Sequence, residues 1–444
     1  MVETVASGAE DKLLDSLSFK TPNSASYITE RKSVSFHPSG SNVYSSAGGT
    51  KLIQIVITGD NWMDPSTFRI MFDLKNNEAT AAKLLRPLGQ PSSFFRRMRI
   101  IANGAIIEDI DNFNRCSELF SMMVAKDSRT NSNAEAWGDV DTYSTPTETT
   151  IGGIPGGDSR TVLFKPLSGF FSLDKYLPLR YMGSLQIELE LVNTSTDPIV
   201  SNLAADSDGN FADTNTSLKW QIENVQVKCD LCTLDTGLQN SYADHLSKGG
   251  EFPIAYNTYV SQTQSLFSGT NGQQKVRLNV TRALTRLTHL FTTLDKSTAA
   301  NNVVLKDWNS FYSPMEGKSV FDSSSEISDF QIQLGSKLYP EYSIRSHSEA
   351  YYQLKKALGQ QSSNLHSFDI DSEEYRARKF VLGISMEKVS EAAFTSVNTR
   401  SGDILNIRFD HKTATATEWA TGMHIVLVSE NVLILKDSGI EVHD

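Results

Sequence analysis

Several stretches of the sequence carry residue types that do chemistry, and each lacks a part that the chemistry needs. Cys229 and Cys232 stand at the Cys-x-x-Cys spacing of redox and zinc sites. Their surroundings read as an alternating strand (Val225, Val227, Cys229, Leu231), where residues three apart face opposite sides, and Cys116 is the one other cysteine. Gly317-Lys318-Ser319 matches the end of a phosphate loop, but the loop's first glycine would fall at Tyr312. The glycines of Gly152-Gly153 and Gly156-Gly157 surround Pro155 without a strand-to-helix context, which reads as a flexible loop. Asp206, Asp208 and Asn210 imitate the start of a calcium loop whose sixth place is Phe211 instead of glycine and whose twelfth is Ser217 instead of glutamate. The eight histidines (His37, His245, His289, His347, His366, His411, His424 and His443) never fall at metal-binding spacing. Glu188, Glu190 and Glu373-Glu374 lie in strand-face or polar contexts rather than as opposed carboxyls. The sequence therefore predicts no catalytic residue, no cofactor and no metal.

Arginines are the remaining chemistry. Arg86, Arg96, Arg97 and Arg99 cluster around a hairpin signal, Asn103-Gly104, whose two residues suit the positive φ of a type I′ turn. The first strand places Phe94, Met98 and Ile100 on one face with Arg96, and Phe95, Arg97, Arg99 and Ile101 on the other. Two readings stand for these arginines. They are intersubunit contacts, as arginine is favoured at interfaces, or they pair within their own domain with Glu108 or Asp109 across the hairpin. After Ile110 the period changes, and Asp111 or Asn114 caps a helix with Phe113, Cys116, Phe120 and Met123 on its core face.

The elements that position this unit run in two series. Leu52, Ile53, Ile55, Val56 and Ile57 read as a strand covered on both faces, and Phe68, Ile70, Phe72 and Leu74 alternate as a half-buried strand. A polar segment over 127–160 follows the helix, strands resume at Thr161–Lys165, Leu185–Leu191 and Trp220–Leu231, and a second polar loop covers 193–217. A linker helix near Leu238–Lys248 leads to Ile254–Leu266 and Lys275–Val280 around an Asn271-Gly272 turn, then Leu284–Leu294 and Phe330–Leu334. Ser346 or Ser348 caps a helix carrying Tyr351, Leu354 and Leu358 and closed by Gly359, and strands at Lys379–Met386, Ile404–Phe409 and His424–Leu435 repeat the order of the first series. Two halves of about 200 residues, each with about eight strands and one short inserted helix, predict an all-β chain of two tandem eight-stranded antiparallel jelly rolls. A plain immunoglobulin-like sandwich is the competing fold. The divisions are an N-terminal arm 1–33, a first roll 34–235, a second roll 236–435 that begins with a linker helix 236–250, and a C-terminal tail 436–444.

Composition narrows the function. With 41 Lys plus Arg against 52 Asp plus Glu, the 444-residue chain carries a formal charge of −11, which argues against nucleic acid as its main ligand. No run of 18 apolar residues and no basic-then-apolar leader occur, so the expectation is a chain without a transmembrane segment, made and kept in a reducing compartment. The sequons at Asn193, Asn215 and Asn279 then carry no meaning. In the arm, Lys12, Lys20, Arg31 and Lys32 nearly cancel Glu3, Glu10, Asp11, Asp15 and Glu30, and Leu13, Leu14 and Leu17 form one small apolar patch. A large two-sandwich chain without site motifs reads as a building block.

Five segments carry a resemblance. Arg31–Pro38 (Arg-Lys-Ser-Val-Ser-Phe-His-Pro), Asp64–Leu74, Leu85–Leu88 through Phe94–Arg99, Glu108–Ile110 and Pro178–Tyr181 resemble the double-jelly-roll major capsid proteins of Polinton-like viruses and related small eukaryotic double-stranded DNA viruses. The likeness is residue-level over about 31–230 and topological over 250–435. It implies a homotrimeric capsomer with a pseudo-hexagonal outline, six upright rolls in an icosahedral shell, long loops forming outward towers and the arm beneath the shell. It implies as partners the chain itself, neighbouring capsomers, and penton and minor capsid proteins, with the protein located in the virion capsid after synthesis in the host cytoplasm or nucleus. The near-neutral arm suits a shell filled with DNA by a separate motor, without sequence-specific nucleic-acid binding. The alternative is a tandem jelly-roll carbohydrate-binding or glycan-processing protein, but the loops 127–160 and 193–217 hold only Trp137, Tyr143 and Phe211 as aromatics. A secreted adhesion protein would carry a leader and disulfides.

Overall fold

The computed structural model describes residues 27–45, 48, 51–124, 135–136, 153–193, 197–199, 216–267, 269, 273–295, 311–313, 327–360, 370, 375, 379–388, 396–400, 403–412 and 419–444. Outside them lie the arm to residue 26, Gly317-Lys318-Ser319, Asp206, Asp208, Asn210, Asn271-Gly272, His366 and Glu373-Glu374.

The first half contains β1 (Ile28–Phe36), β2 (Val43–Tyr44), β3 (Leu52–Ile57), β4 (Trp62–Asn76), β5 (Phe95–Ala102), β6 (Ala105–Ile110), helix α1 (Phe113–Met122), β7 (Ser159–Phe164), β8 (Leu177–Pro178), β9 (Leu185–Leu191) and β10 (Trp220–Leu234). Linker helix α2 (Thr236–Ser247) starts where the Asp235 side chain accepts from the Gly237 amide. The second half contains β11 (Phe252–Ser265), β12 (Gln273–Val280), β13 (Leu287–Asp295), β14 (Ile327–Leu334), β15 (Lys337–Ile344), helix α3 (His347–Ala357), β16 (Leu382–Ser385), β17 (Leu405–Lys412), β18 (Gly422–Lys436) and β19 (Gly439–His443).

Pairing gives both halves one topology. In the first, one sheet runs β1-β10-β4-β7 and the other β3-β9-β5-β6; in the second the orders are β11-β18-β13-β16 and β12-β17-β14-β15. Numbering the eight main strands of each half one to eight, both read 1-8-3-6 against 2-7-4-5. That order is the jelly roll, two Greek keys wrapped into a sandwich. Inward-facing residues build the cores: Phe72 sits edge-on to Phe94, Phe95 and Phe164, and Phe68 stacks on Phe171 at 3.8 Å. Each such buried ring contributes about 2 kcal/mol from area alone.

The strand direction fixes which loops share an end. The segments after β4, β6 and β9, and after β13, β15 and β17, all leave at one end, and these contain the long polar stretches. Their feet are tied together in the first roll, where Leu85 bridges Ile154, Leu84 bridges Thr216 and Pro87 bridges Ile199. Asn76 stands beneath them, donating to the Lys83 and Ile154 carbonyls and accepting from Ser217 Oγ. Gly153 and Gly156 belong to this foot and not to a flexible loop, since a Cβ there would crowd the backbone of Leu85 and Thr80. β1 begins, and α2 runs, at the opposite end, which we call the base.

The structure departs from sequence expectation where a local feature resets alternation or leaves a face open. Phe95 is buried, not on the arginine face, because the ladder to β9 shifts between Phe95 and Arg97 and this bulge returns Met98, Ile100 and Ala102 to the same side. β3 is covered on one face only: it is a sheet edge, and Leu52 and Val56 are 42% and 36% exposed. The first residue of α1 follows Asn112, in left-handed conformation at φ 47°, rather than an Asp111 or Asn114 cap. β11 and β12 enter different sheets, so they form no hairpin. β15 carried no sequence signal, β1 starts inside the segment assigned to the arm, and β19 occupies the expected tail, paired to β18.

Candidate assembly surfaces

The hairpin formed as its dipeptide requires, with Asn103 at φ 47° and Gly104 at φ 82°. Its arginines are engaged within the first roll. Arg97 makes a bidentate pair with Asp109 (2.7 and 2.6 Å), which raises the arginine's pKa chiefly through that hydrogen bond. Arg99 reaches Glu188 at 2.6 Å on the neighbouring strand, and Arg96 lies 3.7 Å from Glu190 and 3.8 Å from Asp111. Arg86 is not part of this group. It is 4% exposed at the loop feet, beside the Leu85–Ile154 bridge, because that bridge pulls its segment away from the β5–β6 sheet.

Glu108 takes a different path from its neighbour Asp109. It is 1% exposed, accepts from Ser168 Oγ and the Gly169 amide, and burial pushes its pKa up to about 7 against the pull of those donors. Thr258 of β11 is a further donor to it, so this carboxyl spans the two rolls.

The two rolls meet along a seam with α1 at its centre. Arg115 pairs with Asp295 and donates to Thr293 Oγ1 at 3.2 Å, with its guanidinium 4.9 Å from the centre of the Phe311 ring. Phe120 packs against Tyr259 and edge-on to Phe291. Asn112 donates to Thr263 Oγ1, Ser261 Oγ to the Asp111 carbonyl, and Tyr256 OH to the Ile107 carbonyl. Below them, a Cβ on Gly169 would collide with the Asn257 carbonyl. At the base, Asn103 stands beside the β18–β19 turn, where a Cβ on Gly439 would lie 3.9 Å from Asn103 Nδ2. The contact thus runs from the Arg115–Asp295 pair at the loop end to Asn103 at the base, and the rolls stand parallel with their long loops at the same end. Sequence reasoning placed Cys116, Phe120 and Met123 on a core face, and Cys116 and Met123 are buried with Phe120 packed against the core; that Cys116 and Phe120 also reach across the seam is invisible in a helix pattern that cannot say which neighbour covers a buried face.

One pair in the seam imitates a catalytic dyad. Cys116 Sγ lies 3.8 Å from His424 Nε2. Burial pushes the thiol up to about 12, while burial and then Arg115 hold His424 well below its usual value, so at neutral pH both are neutral and no thiolate forms. Cys229 and Cys232 are also free buried thiols. Among the described residues no three His, Cys, Asp or Glu side chains gather around a common point, and no helix is long and apolar enough to cross a membrane.

The seam leaves the two rolls with unlike outer faces. In the second, α1 and its neighbours cover the outer side of the β11-β18-β13-β16 sheet, and β13 from Leu287 to Leu294 is buried on both faces apart from a half-buried His289. In the first, β4 alternates from Phe68 to Asn76 between buried and half-buried residues, and β10 likewise leaves Glu223, Gln226, Lys228 and Asp230 toward solvent.

No protein-family model and no curated protein sequence matches the chain. Solved structures do. It is similar to VP54 of PBCV-1, as fitted into a reconstruction of the virophage Sputnik, with 12% identity and a TM-score of 0.62 over 96% of this chain and 98% of that one. A chain of the Sputnik virophage particle aligns with 12% identity and a TM-score of 0.61 over 99% and 93%. The Faustovirus major capsid protein aligns with 10% identity and a TM-score of 0.58 over 94% and 92%. At such identities what is shared is the fold: the described residues form a double jelly roll with the arrangement seen in these viral capsid structures.

Proposed function

We propose that the chain is the major capsid protein of an icosahedral double-stranded DNA virus, a structural and non-enzymatic component that assembles as a homotrimer of six upright rolls. The observation that carries this reading is the full-length seam, which sets two rolls of equal topology side by side with their loops at one end and the arm and linker at the other. Two equivalent rolls per chain let three copies fill a six-sided tile, which three-fold symmetry with single rolls does not. The loop end then faces outward and the base inward. At the base, Tyr27, Trp62, Tyr176, Leu238, Tyr242 and Ile254 line an open cavity of about 550 Å³ where the arm leaves the fold, in the position for contact with penton or minor capsid proteins. Of the three arginines on the hairpin strand, Arg96 is best suited to reach a neighbouring capsomer, since it is 42% exposed and its two acidic neighbours are both beyond 3.5 Å.

The glycan-processing alternative needs opposed carboxyls in a cleft. Glu188 instead pairs with Arg99 and Glu190 lies beside Arg96, both on the β9–β5 ladder. The test is the mass of the purified full-length protein by light scattering, with negative-stain images of the same peak. The expected species is near three times 49.1 kDa with a six-sided outline. A protein that stays monomeric at every concentration and binds glycans would overturn the reading.

A further inference from the structure

The outer sheet face of the second roll is covered by the first roll of the same chain, whereas the matching face of the first roll is open. We infer that this open face, centred on Met71 of β4, is covered by the second roll of a neighbouring copy, which docks through Tyr342 and Tyr352. The inference rests on the trimer reading above and names the surface that closes it.

The argument is one of repetition. A ring of alternating rolls has two kinds of contact, first roll to second within a chain and second to first between chains. If the rolls are arranged alike, the second contact reuses the parts that make the first. Within the chain, those parts are the end of β6, laid on strand one of the next roll, and the helix after it, laid on strands three and eight. The second roll carries counterparts of both. Ile110 and Ile344 are the buried residues that close β6 and β15, paired to Met98 and Phe330. By cross-strand pairing Glu108, opposite Ile100, corresponds to Tyr339, opposite Ile332, and Tyr342 stands between Tyr339 and Ile344 in the irregular stretch of β15. Glu108 is sealed in the seam at 1% exposure, while Tyr342 is 50% exposed. The following helix repeats the contrast: α1 is buried on nearly all sides, but α3 presents Ser348, Tyr352 and Lys356 as one exposed stripe, with Tyr352 at 49%. Gln353 of α3 donates to Tyr342 OH at 2.7 Å, which fixes the two parts as one surface.

The chemistry of the two faces agrees. Exposed tyrosines beside Arg345 and Lys356 are the composition of an interface centre, where an amphipathic ring gains from burial and keeps a polar tip. The receiving face has Met71 and Leu163 opposite each other at its middle, both half-buried. Many of its charges are already paired within the sheet: Arg31 with Asp64 and Asp230, Lys75 with Glu223, and Asp73 accepting from Asn224 and Thr161. The cations left for the docking copy to meet are Lys228 and, opposite it, Arg69, which donates to the Ser66 and Phe68 carbonyls.

The test uses the full-length protein. Y352E and M71E, made separately, are expected to shift trimer to monomer and raise the dissociation constant at least tenfold, with unchanged circular dichroism and melting of the monomer. F267S, a change at a residue 94% exposed but outside both faces, is expected to leave the trimer intact. As a measurement free of mutation, a lysine-reactive cross-linker on trimers of mixed isotope-labelled subunits should join Lys355 or Lys356 of one copy to Lys75 or Lys228 of another. A wild-type trimer that neither variant weakens and that yields no such interchain link overturns this inference and leaves the capsomer reading standing. A wild-type chain that never trimerises sinks both.

Discussion

The third strands of the two rolls, β4 and β13, have the same place in the same topology and unlike surroundings. Met71 faces outward from β4 between Gln226 and Leu163, and Phe291 faces outward from β13 between Val426 and Gly383. Phe291 is 3% exposed under Phe120, whereas Met71 is half-buried with no ring above it. Strand order therefore does not decide whether a jelly-roll face is wet; the next roll does. The sequence carries the trace of this, because β18 reads His-Ile-Val-Leu-Val over 424–428 where β10 alternates Val225, Gln226, Val227, Lys228, Cys229.

The comparison breaks most readily at the seam. Arg115→Ala removes one partner of a buried ion pair and is expected to cost about 3 to 5 kcal/mol, because Asp295 is left without its charge partner in a covered site. Phe291→Ala should cost about 3 kcal/mol by cavity formation. Met71→Ala in the monomer should cost about 1 kcal/mol, since solvent already reaches that side chain. Denaturant melts of monomeric protein check all three. Equal losses at Phe291 and Met71 would mean that the seam contributes no more than solvent does, and that the rolls are not packed as described.

Much of this fold was readable because the signals were local. Asn103-Gly104 needs positive φ at both residues, Ser346 accepts from the Glu349 amide at the start of α3, and Phe68 to Leu74 alternate, so turn, cap and strand each follow from a few adjacent side chains. The repeated strand order then implied a duplicated sandwich. What stayed hidden depends on distant partners. Nothing near Phe95 announces the bulge at Arg96, and nothing in Leu52 to Ile57 says that the strand is an edge. The seam was unreadable for the same reason: Arg115, Cys116 and Phe120 look like one helix face, and their partners lie 139 or more residues along the chain. The arginines were noticed by type, yet Arg115 and Glu108, ionisable side chains of the first roll that bond to the second, were not distinguished from their neighbours.

Glu108 sharpens the comparison through pH. Its value in the folded chain is about 7 against 4.5 in an unfolded one, with desolvation as the largest cause. The protonated form is the one that burial favours. Its contribution to stability is therefore fully present below about pH 4.5 and is lost as the pH rises through about 7, a span worth about 3 kcal/mol. Glu108→Gln keeps the shape and abolishes the titration. The stability of the wild type relative to this variant should fall by about 3 kcal/mol between pH 4 and pH 8, read from urea midpoints at each pH. A difference that stays flat would place Glu108 in water and open the seam at Ser168 and Gly169.

The smallest effect tests the face that remains open in the monomer. Arg97 and Asp109 are 36% and 30% exposed at the side chain, so despite their bidentate geometry the pair should show a coupling energy of about 0.5 to 1 kcal/mol in a double-mutant cycle of Arg97→Ala and Asp109→Ala. The coupling should shrink in high salt, because water and ions reach both groups. Repeating the cycle on the trimer asks whether assembly covers the hairpin. If the coupling is unchanged, the β5–β6 face stays solvated inside the capsomer, and only contact between capsomers is left to bury it. If it rises to about 2 kcal/mol and loses its salt dependence, water has been excluded from the pair by a neighbouring subunit, and the hairpin arginines join Tyr342 and Tyr352 as part of the closing contact.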